Sequence, residues 1–591
     1  MTIDNNEQIF FYGNELIIDL ECDDLNISTA KIKFVSAYSF KNKKKYFFSF
    51  KDNIDFLKKL IEEHYILIGH NISGYDIPVL LNNEIDSVRY KVRVDTLKIA
   101  RERLNLMFNS KGERIHAVRF NLNEVHNKLF PDTSSKILDF DYSILKKDIN
   151  VLTLQELKLI REYSLNDIRI TKNIFKEFCK QFIHFRDLMN LENQKKYKWL
   201  TRNFGSYSYS VFCNLLNIDE IYDENTSFVH NAYIGGYMIE PRYREFIGDC
   251  YIFDFTSQYP HNFFQFNLYT PAENCSCGNK CNYKFIGNEY FNIEGEYCVK
   301  ELGKKEKILK WIYEKRKEYK DIKDNRELPF KVVLNSAYGI SAKPLFKNLY
   351  YKYSASDCCL LGRQELKHLD NFLRNKGYLV GYGFTDSVFV KDIYKNKTKL
   401  LNNIVEFLEI IKQYIPFPSD TFKLNCSNLK AVWFFKKQMY MYINENNNLI
   451  VKGLSIKKDN ATKISKHIFE KYLTPLIIEN KKIQFNKSKI KKMIIKILRE
   501  DITLAATTFN INNDSEYFTS EFSLQKQIKE KYGSGKLELV KNFRRGVGKN
   551  VKYCSIEEAK KLSFIDLDLT KVWKELGIFI DDRQEVLIKN G

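Results

Sequence analysis

Carboxylates stand inside or at the ends of short apolar runs in ELIIDLE (15–21), CYIFDF (250–255) and GYGFTDSVFV (381–390). Runs this short, rich in Ile, Val, Phe and Tyr and bounded by turn residues, read as buried strands. A charge on such a strand is costly unless something positive neutralises it, and a divalent metal meets that need with few residues. The 591 residues are enough for several domains. Strand-like and helical patterns alternate along them, which predicts a multidomain chain of α/β and α+β type.

Charge narrows the partners. Lys and Arg number 94 against 74 Asp and Glu, a net +20, which favours a polyanion, nucleic acid before anionic membrane. With 44% hydrophobic and 28% charged residues, the composition excludes a disordered chain. Twelve cysteines are too sparse for a disulfide scaffold. Residues 1–14 lack the basic and apolar segments of a signal peptide, and no run reaches the length of a membrane span. The expectation is a soluble, cytoplasmic monomer with no membrane partner.

Along the chain, residues 15–50 read as strands, 54–64 as a helix, YILIGH as a strand and 151–190 as helical. The polar, basic NQKKYKWLTRN (193–203) reads as a junction. Sheet-like alternation follows over 228–255, helix over 304–335, strands over 377–393 and 431–443, and a Lys-rich, mostly helical region after about 460. Asp19 and Glu21 share one face of their strand. GHNISGYD offers Asn71, Tyr75 and Asp76, and Tyr163 and Asp167 lie one helical turn apart. Asp19, Glu21, Asp76 and Asp167 would suffice for two hard cations, with Tyr163 orienting a water for attack on a phosphodiester. Downstream, Asp254 and Asp386 end or follow apolar strands, and between them KVVLNSAYG presents Lys331, Asn335 and Tyr338 at helical spacing. Two carboxylates plus a cation are what nucleotidyl transfer needs.

The first set resembles the three motifs of DEDDy-type 3′–5′ exonucleases: Asp-x-Glu, Asn-x(2–3)-Phe/Tyr-Asp and Tyr-x3-Asp. The second resembles family B DNA polymerase motif A (DFTSQYP), motif B (KVVLNSAYG) and motif C (GYGFTDS), in the family's order. YIGGYMIEP resembles the Tyr-x-Gly-Gly segment between the two regions, and FFKKQMYMY the Lys-x-Tyr motif. The resemblance implies an RNase H-like exonuclease domain over 1–185 and a right-hand polymerase domain over 186–591. The palm would occupy about 200–299 and 345–435, the fingers about 300–344 and the thumb about 436–591.

It also implies roles. Asp254 and Asp386 would hold two Mg2+ ions (or Mn2+), and Asp19, Glu21, Asp76 and Asp167 another two. Arg316 and Lys331 would bind phosphates, with Lys320 a weaker candidate. Tyr259, beside Ser257 of motif A, would exclude a ribose 2′-OH, and Asn335 and Tyr338 would line the base-pair pocket. Asn71 and Tyr75 would contact single strands; Tyr233, Gly235, Gly236, Lys437 and Tyr440 would contact primer-template DNA. Lys136 is a loose candidate for an exonuclease lysine. Three departures stand out: Gln258 replaces Leu, Phe384 replaces the first Asp of motif C, and one extra residue separates Lys437 from Tyr440.

The start of the exonuclease pattern near residue 1 resembles compact protein-primed phage enzymes, although the motif intervals look too short for both of their insertions. The implied role is replication of a phage, viral or mobile-element genome, in the host-cell cytoplasm for a phage or virus. Its partners would be primer-template DNA and dNTPs, with a terminal protein primer or accessory proteins left open. Intact Asp254, Lys331 and Asp386 oppose a nuclease with a decayed polymerase site. The four exonuclease carboxylates oppose a non-catalytic scaffold. Cys275, Cys277, Cys281 and Cys298 fall close together, but the C-x-C-x3-C spacing favours metal-free thiols over a structural Zn2+.

Overall fold

A computed structural model of the chain describes residues 13–117, 119–133, 140–189, 197–223, 235–277, 281–458, 461–511, 531, 535–543, 551–561 and 567–581. The chain divides into two compact units. The first comprises residues 1–233, 259–286 and 294–358; the second comprises 234–258, 287–293 and 359–591.

In the first unit, β1 (Glu15–Cys22), β2 (Ile32–Ser39), β3 (Lys44–Ser49), β4 (Ile66–Gly69) and β5 (Val92–Asp95) form a sheet in the order β3-β2-β1-β4-β5. β1 runs antiparallel to β2 and parallel to β4. Its alternate residues divide between two layers. Leu16, Ile18 and Leu20 pack with Leu57, Leu60 and Ile61 of the helix Ile54–Glu62. Across β2, Phe34 packs instead with Ile160 and Tyr163 of the helix Leu154–Gln181. That long helix starts cleanly because Thr153 and Glu156 form a reciprocal capping box. Covering both faces explains why β1 reads as a nearly continuous apolar run.

Two expectations change here. Of the junction read over 193–203, residues 193–196 lie outside the described residues; in the remainder Tyr197, Trp199 and Leu200 are buried, and the Tyr197 hydroxyl donates to buried Glu15 at 2.7 Å. The helical stretch over 304–335 is two helices, Lys304–Asp321 and Glu327–Ser341. Lys323 adopts a left-handed φ of 55° between them, and Asp324 accepts the Arg326 backbone N–H at 2.8 Å. That is how Asp in a turn competes with helix.

β8 (Lys284–Gly287) and β9 (Asn292–Cys298) are short strands paired with each other. The second unit holds a seven-stranded sheet ordered β14-β13-β12-β7-β11-β10-β6. Its strands are β6 (Met238–Ile239), β7 (Glu245–Phe255), β10 (Leu379–Phe384), β11 (Ser387–Lys391), β12 (Leu424–Lys436), β13 (Met439–Asn444) and β14 (Leu449–Lys452). All of its strand pairs are antiparallel. Phe246, Tyr382, Phe389 and Phe434 pack on one side of it. Beyond it, Trp433 and Met441 join Ile468, Ile494, Leu576 and Phe579 in a C-terminal core.

Tyr197→Phe is expected to leave Glu15 buried with one fewer donor. It should lower stability by about 1–3 kcal/mol near neutral pH, read as a shift of the urea midpoint with unchanged slope. No shift would mean that the Tyr197–Glu15 bond does not hold this segment.

Candidate functional site

β7 and β11 place two carboxylates side by side. Ser387 lies opposite Asp254, and the Phe255 N–H donates to the Asp386 carbonyl at 2.8 Å. Asp386 sits in the turn itself, one residue before the outgoing strand to which its sequence pattern assigns it. Thr385 takes φ 55°, and the Asp386 N–H donates to Phe384 O at 2.7 Å, which closes the turn. A Cβ on Gly236 would come 2.9 Å from Thr385 Oγ1, so only glycine permits this approach. The Thr385 N–H donates to Tyr237 O at 2.8 Å, and Arg363 holds Gly235 O at 3.1 Å. The Gly-Gly segment is thus a brace for the turn; Tyr233 lies outside the described residues.

Burial pushes Asp254 up to about 6, with the Asp386 charge adding to it, and burial also raises Asp386. Two desolvated oxygen donors that resist ionising beside each other suit a hard divalent cation. Tyr440 is pushed up to about 12 by burial, then by Tyr382 and Tyr442, with Asp386 and Asp254 also contributing. It therefore stands close to the pair. Lys437, in the β12–β13 turn, is exposed and pairs with Glu240 at 2.6 Å. Phe384 is half-buried and packs with the aromatic cluster. Gln258 is buried and donates to Gly362 O at 3.3 Å, so the unusual polar residue finds a partner. Ser257 has a left-handed φ of 47°, marking the sharp exit from β7.

In the first unit, the helix Glu327–Ser341 buries Val333, Leu334 and Ala337. Lys331, Asn335 and Tyr338 lie along a face turned away from them, and Lys331 makes no ion pair among the described residues. Tyr338 meets Tyr259 with ring centroids 5.1 Å apart. Arg316 donates through Nε to Glu327 at 3.0 Å, whereas Lys320 is exposed. Arg316 is therefore held against the second helix rather than swinging in solvent.

The acids of the N-terminal sheet lie on β1 and on the elements beside it, but no three of Asp19, Glu21, Asp76 and Asp167 are brought together as one ligand group. Glu21 is buried and accepts from the Ser164 hydroxyl at 2.8 Å, while Asp19 is half-buried. Burial pushes Asp76 up to about 7 against bonds from its own and the Leu20 backbone N–H, and the Asp95 charge adds to the rise. That Leu20 bond ties Asp76 to the strand between Asp19 and Glu21. Tyr163 stacks on Phe140 at 4.2 Å and shares a 2.7 Å hydrogen bond with the Tyr142 hydroxyl. Burial raises it, with the Asp167 charge next and Glu21 a smaller contributor. Asn71 is left-handed at φ 69° and exposed, and Tyr75 donates to Asp24 O at 2.6 Å. Lys136 lies outside the described residues.

Sequence reasoning missed Asp95. It accepts from Asn71 N at 3.0 Å, Ser73 N at 3.1 Å and Leu97 N at 3.0 Å, shaping the loop that delivers Asp76. Asp after VRV and before a helix is an N-cap signal that could have revealed it. The structure also brings the four cysteines together. Among the described residues, one group of His, Cys, Asp or Glu side chains brings three or more ligand atoms together: Cys275, Cys277, Cys281 and Cys298, all within 4.8 Å of one another. The irregular spacing hid this because Cys298 arrives from a separate strand.

Residues 296–567 match the family model described as DNA polymerase family B. The chain is 22% identical over 443 residues to DNA polymerase 1 of Pyrococcus abyssi, covering 70% of this chain and 55% of that protein. It is 27% identical over 234 residues to DNA polymerase 1 of Aeropyrum pernix, covering 37% and 23%. With the DNA polymerase of Bombyx mori nuclear polyhedrosis virus it shares 26% over 263 residues, covering 38% and 24%. The family-model match covers less than half of the chain, and each of these identities is below 30%. The chain spans between 23% and 55% of the length of these relatives. Among solved structures, the family B DNA polymerase of Pyrobaculum calidifontis aligns at a TM-score of 0.49 and 14% identity, covering 96% of this chain and 77% of that one. No helix of the described residues is long and apolar enough to cross a membrane.

Because burial raises Asp254 from its ordinary 3.8 to about 6, its ionisation weakens the metal-free fold as pH rises between those values. Asp254→Asn should therefore raise the melting temperature in EDTA at pH 7.5 and lose that gain at pH 4. Magnesium should stabilise the wild type more than the variant. Equal melting temperatures at both pH values would show that the pair is not strained.

Proposed function

We propose that this chain is a DNA-directed DNA polymerase that extends a primer on a DNA template with dNTPs. We further propose that it removes 3′ ends with a separate exonuclease site, in the replication of a phage, viral or mobile-element genome. The observation that carries the first part is the desolvated pair of Asp254, on β7, and Asp386, in the turn that leads into the adjoining β11. Two Mg2+ ions (or Mn2+) held there would neutralise charge at the primer hydroxyl and the departing pyrophosphate. The chain's own groups would then set geometry and selectivity. Lys331 and Arg316 would neutralise triphosphate oxygens, the latter after exchanging Glu327 for phosphate. Tyr259, packed on Tyr338, would bar a ribose 2′-OH, and Tyr440 would seat the primer end.

For the exonuclease, Asp19, Glu21, Asp76 and Asp167 would hold hard cations, a reading supported by the burial of Glu21, Asp76 and Asp167 and by the bond from the Leu20 backbone to Asp76. Tyr163, its hydroxyl kept protonated by burial, would orient the attacking water. The domain reading follows: an RNase H-like exonuclease over 1–185, then palm, fingers and thumb over 186–591. The thumb's helix Lys487–Glu500 buries Ile490, Ile494, Ile497 and Leu498 and exposes Lys489, Lys491, Lys492, Lys496 and Arg499, a basic face suited to duplex phosphates.

Asp254→Ala should cut primer extension on the order of a hundredfold to a thousandfold and leave single-strand digestion intact; Asp19→Ala should do the reverse. If either variant, still folded, loses both activities, the two-site reading fails.

Replacing Lys489, Lys491, Lys492 and Lys496 by Gln should flatten the log–log salt dependence of duplex binding by about 0.9 for each phosphate no longer neutralised. An unchanged slope would move the duplex-binding surface elsewhere.

A further inference from the structure

The converging cysteines serve neither reaction. Their sulfurs all lie within 4.8 Å of one another, with 3.7 Å between Cys277 and Cys298. All four are free thiols, and 3.7 Å is far beyond the roughly 2.05 Å of a disulfide. Four sulfurs about 2.3 Å from a tetrahedral ion stand about 3.8 Å apart. The observed spacing is close to that geometry. Iron–sulfur clusters spread their thiolates over several metals and hold them farther apart.

We propose that Cys275, Cys277, Cys281 and Cys298 bind a single structural zinc ion. The surroundings fit such a site. The Cys277 backbone N–H is directed at the Cys275 sulfur and the Lys300 N–H at the Cys298 sulfur, the N–H···S bonds that steady thiolate ligands. Cys281 and Cys298 are buried, while Cys275 and Cys277 are half-buried, so the ion would be covered on one side and reachable during folding on the other.

The loop also needs an ion for its order. Its local apolar core is Ala272, Cys281 and Cys298, with Cys275 and Cys277 against them, too little to hold an excursion of this length without a staple. Its edges are tied by the Cys298 N–H to Thr270 O at 3.1 Å and the Val299 N–H to Tyr283 O at 2.8 Å. From there the support passes on. Cys298 O accepts from Asn267 Nδ2 at 2.5 Å, and Asn267 Oδ1 accepts from the Gly303 N–H at 2.9 Å. Gly303 caps the helix that carries Arg316. The zinc would thus fix the start of that helix through two hydrogen bonds.

The test is metal content, which is independent of polymerase activity. The full chain, produced with zinc supplied and purified in reductant, is expected to carry one zinc per chain by plasma mass spectrometry after dialysis against EDTA. The Cys275→Ser/Cys277→Ser variant, altering the two half-buried ligands, should lose it, and Cys426→Ser, on β12, should keep it. Cobalt loaded in place of zinc should show the absorption bands of a tetrahedral tetrathiolate site. Folded wild type without zinc, iron in its place, zinc surviving in the double variant, or two disulfides among the four cysteines would each overturn the proposal.

Discussion

Two carboxylates brought out of water beside each other form the constraint on which much of the second unit depends. Asp254 and Asp386 are each raised by burial, and the Asp386 charge makes ionisation of Asp254 harder still. A fold tolerates this only if the backbone is held so firmly that the acids cannot move apart. Here the hold has three parts: the β7–β11 ladder, the bond from the Phe255 N–H to Asp386 O, and the close approach of Gly236 to Thr385. Below them, Phe246, Tyr382, Phe389 and Phe434 fill the sheet's underside with interlocking rings. Hydrophobic packing thus keeps the two acids together in a place where each resists ionising.

The N-terminal sheet solves the same problem differently. Its acids come from a strand, a loop and a helix, and each has a local device that aims it. Ser164 holds Glu21, the Leu20 backbone holds Asp76, and Asp95 shapes the loop before Asp76 through three backbone N–H groups. The helix Leu154–Gln181 carries Tyr163 and Asp167 to β1 because its capping box and apolar stripe fix its start and its rotation together. Acids from distant segments are therefore aimed largely by hydrogen bonds between segments far apart in sequence.

The cysteine loop shows a third strategy. Where apolar side chains are too few to order a long excursion, thiols converge instead. The same segment reaches the helix of Arg316 through Asn267, so a structural feature and a phosphate-binding candidate share one chain of hydrogen bonds.

Much of this was legible in residue order, because period and spacing are local properties. IIDLE, CYIFDF and the Tyr163–Asp167 spacing read correctly as strand, strand and helix, and so placed their acids on faces. Misreadings arose where a distant partner or a left-handed turn decides the outcome. NQKKYKWLTRN looked polar, yet Tyr197 and Trp199 are buried, and Tyr197 donates to Glu15, 182 positions away. Asp386 falls in the turn, one position before the outgoing strand, because Thr385 is left-handed and the Asp386 N–H bonds back to Phe384 O. The cysteines looked unsuited to a metal until β9 carried Cys298 to the others. Local pattern determines which residues form a strand or a helix turn. Only the packed chain decides which charges share a solvent-poor space, since that depends on desolvation and proximity between segments far apart in sequence.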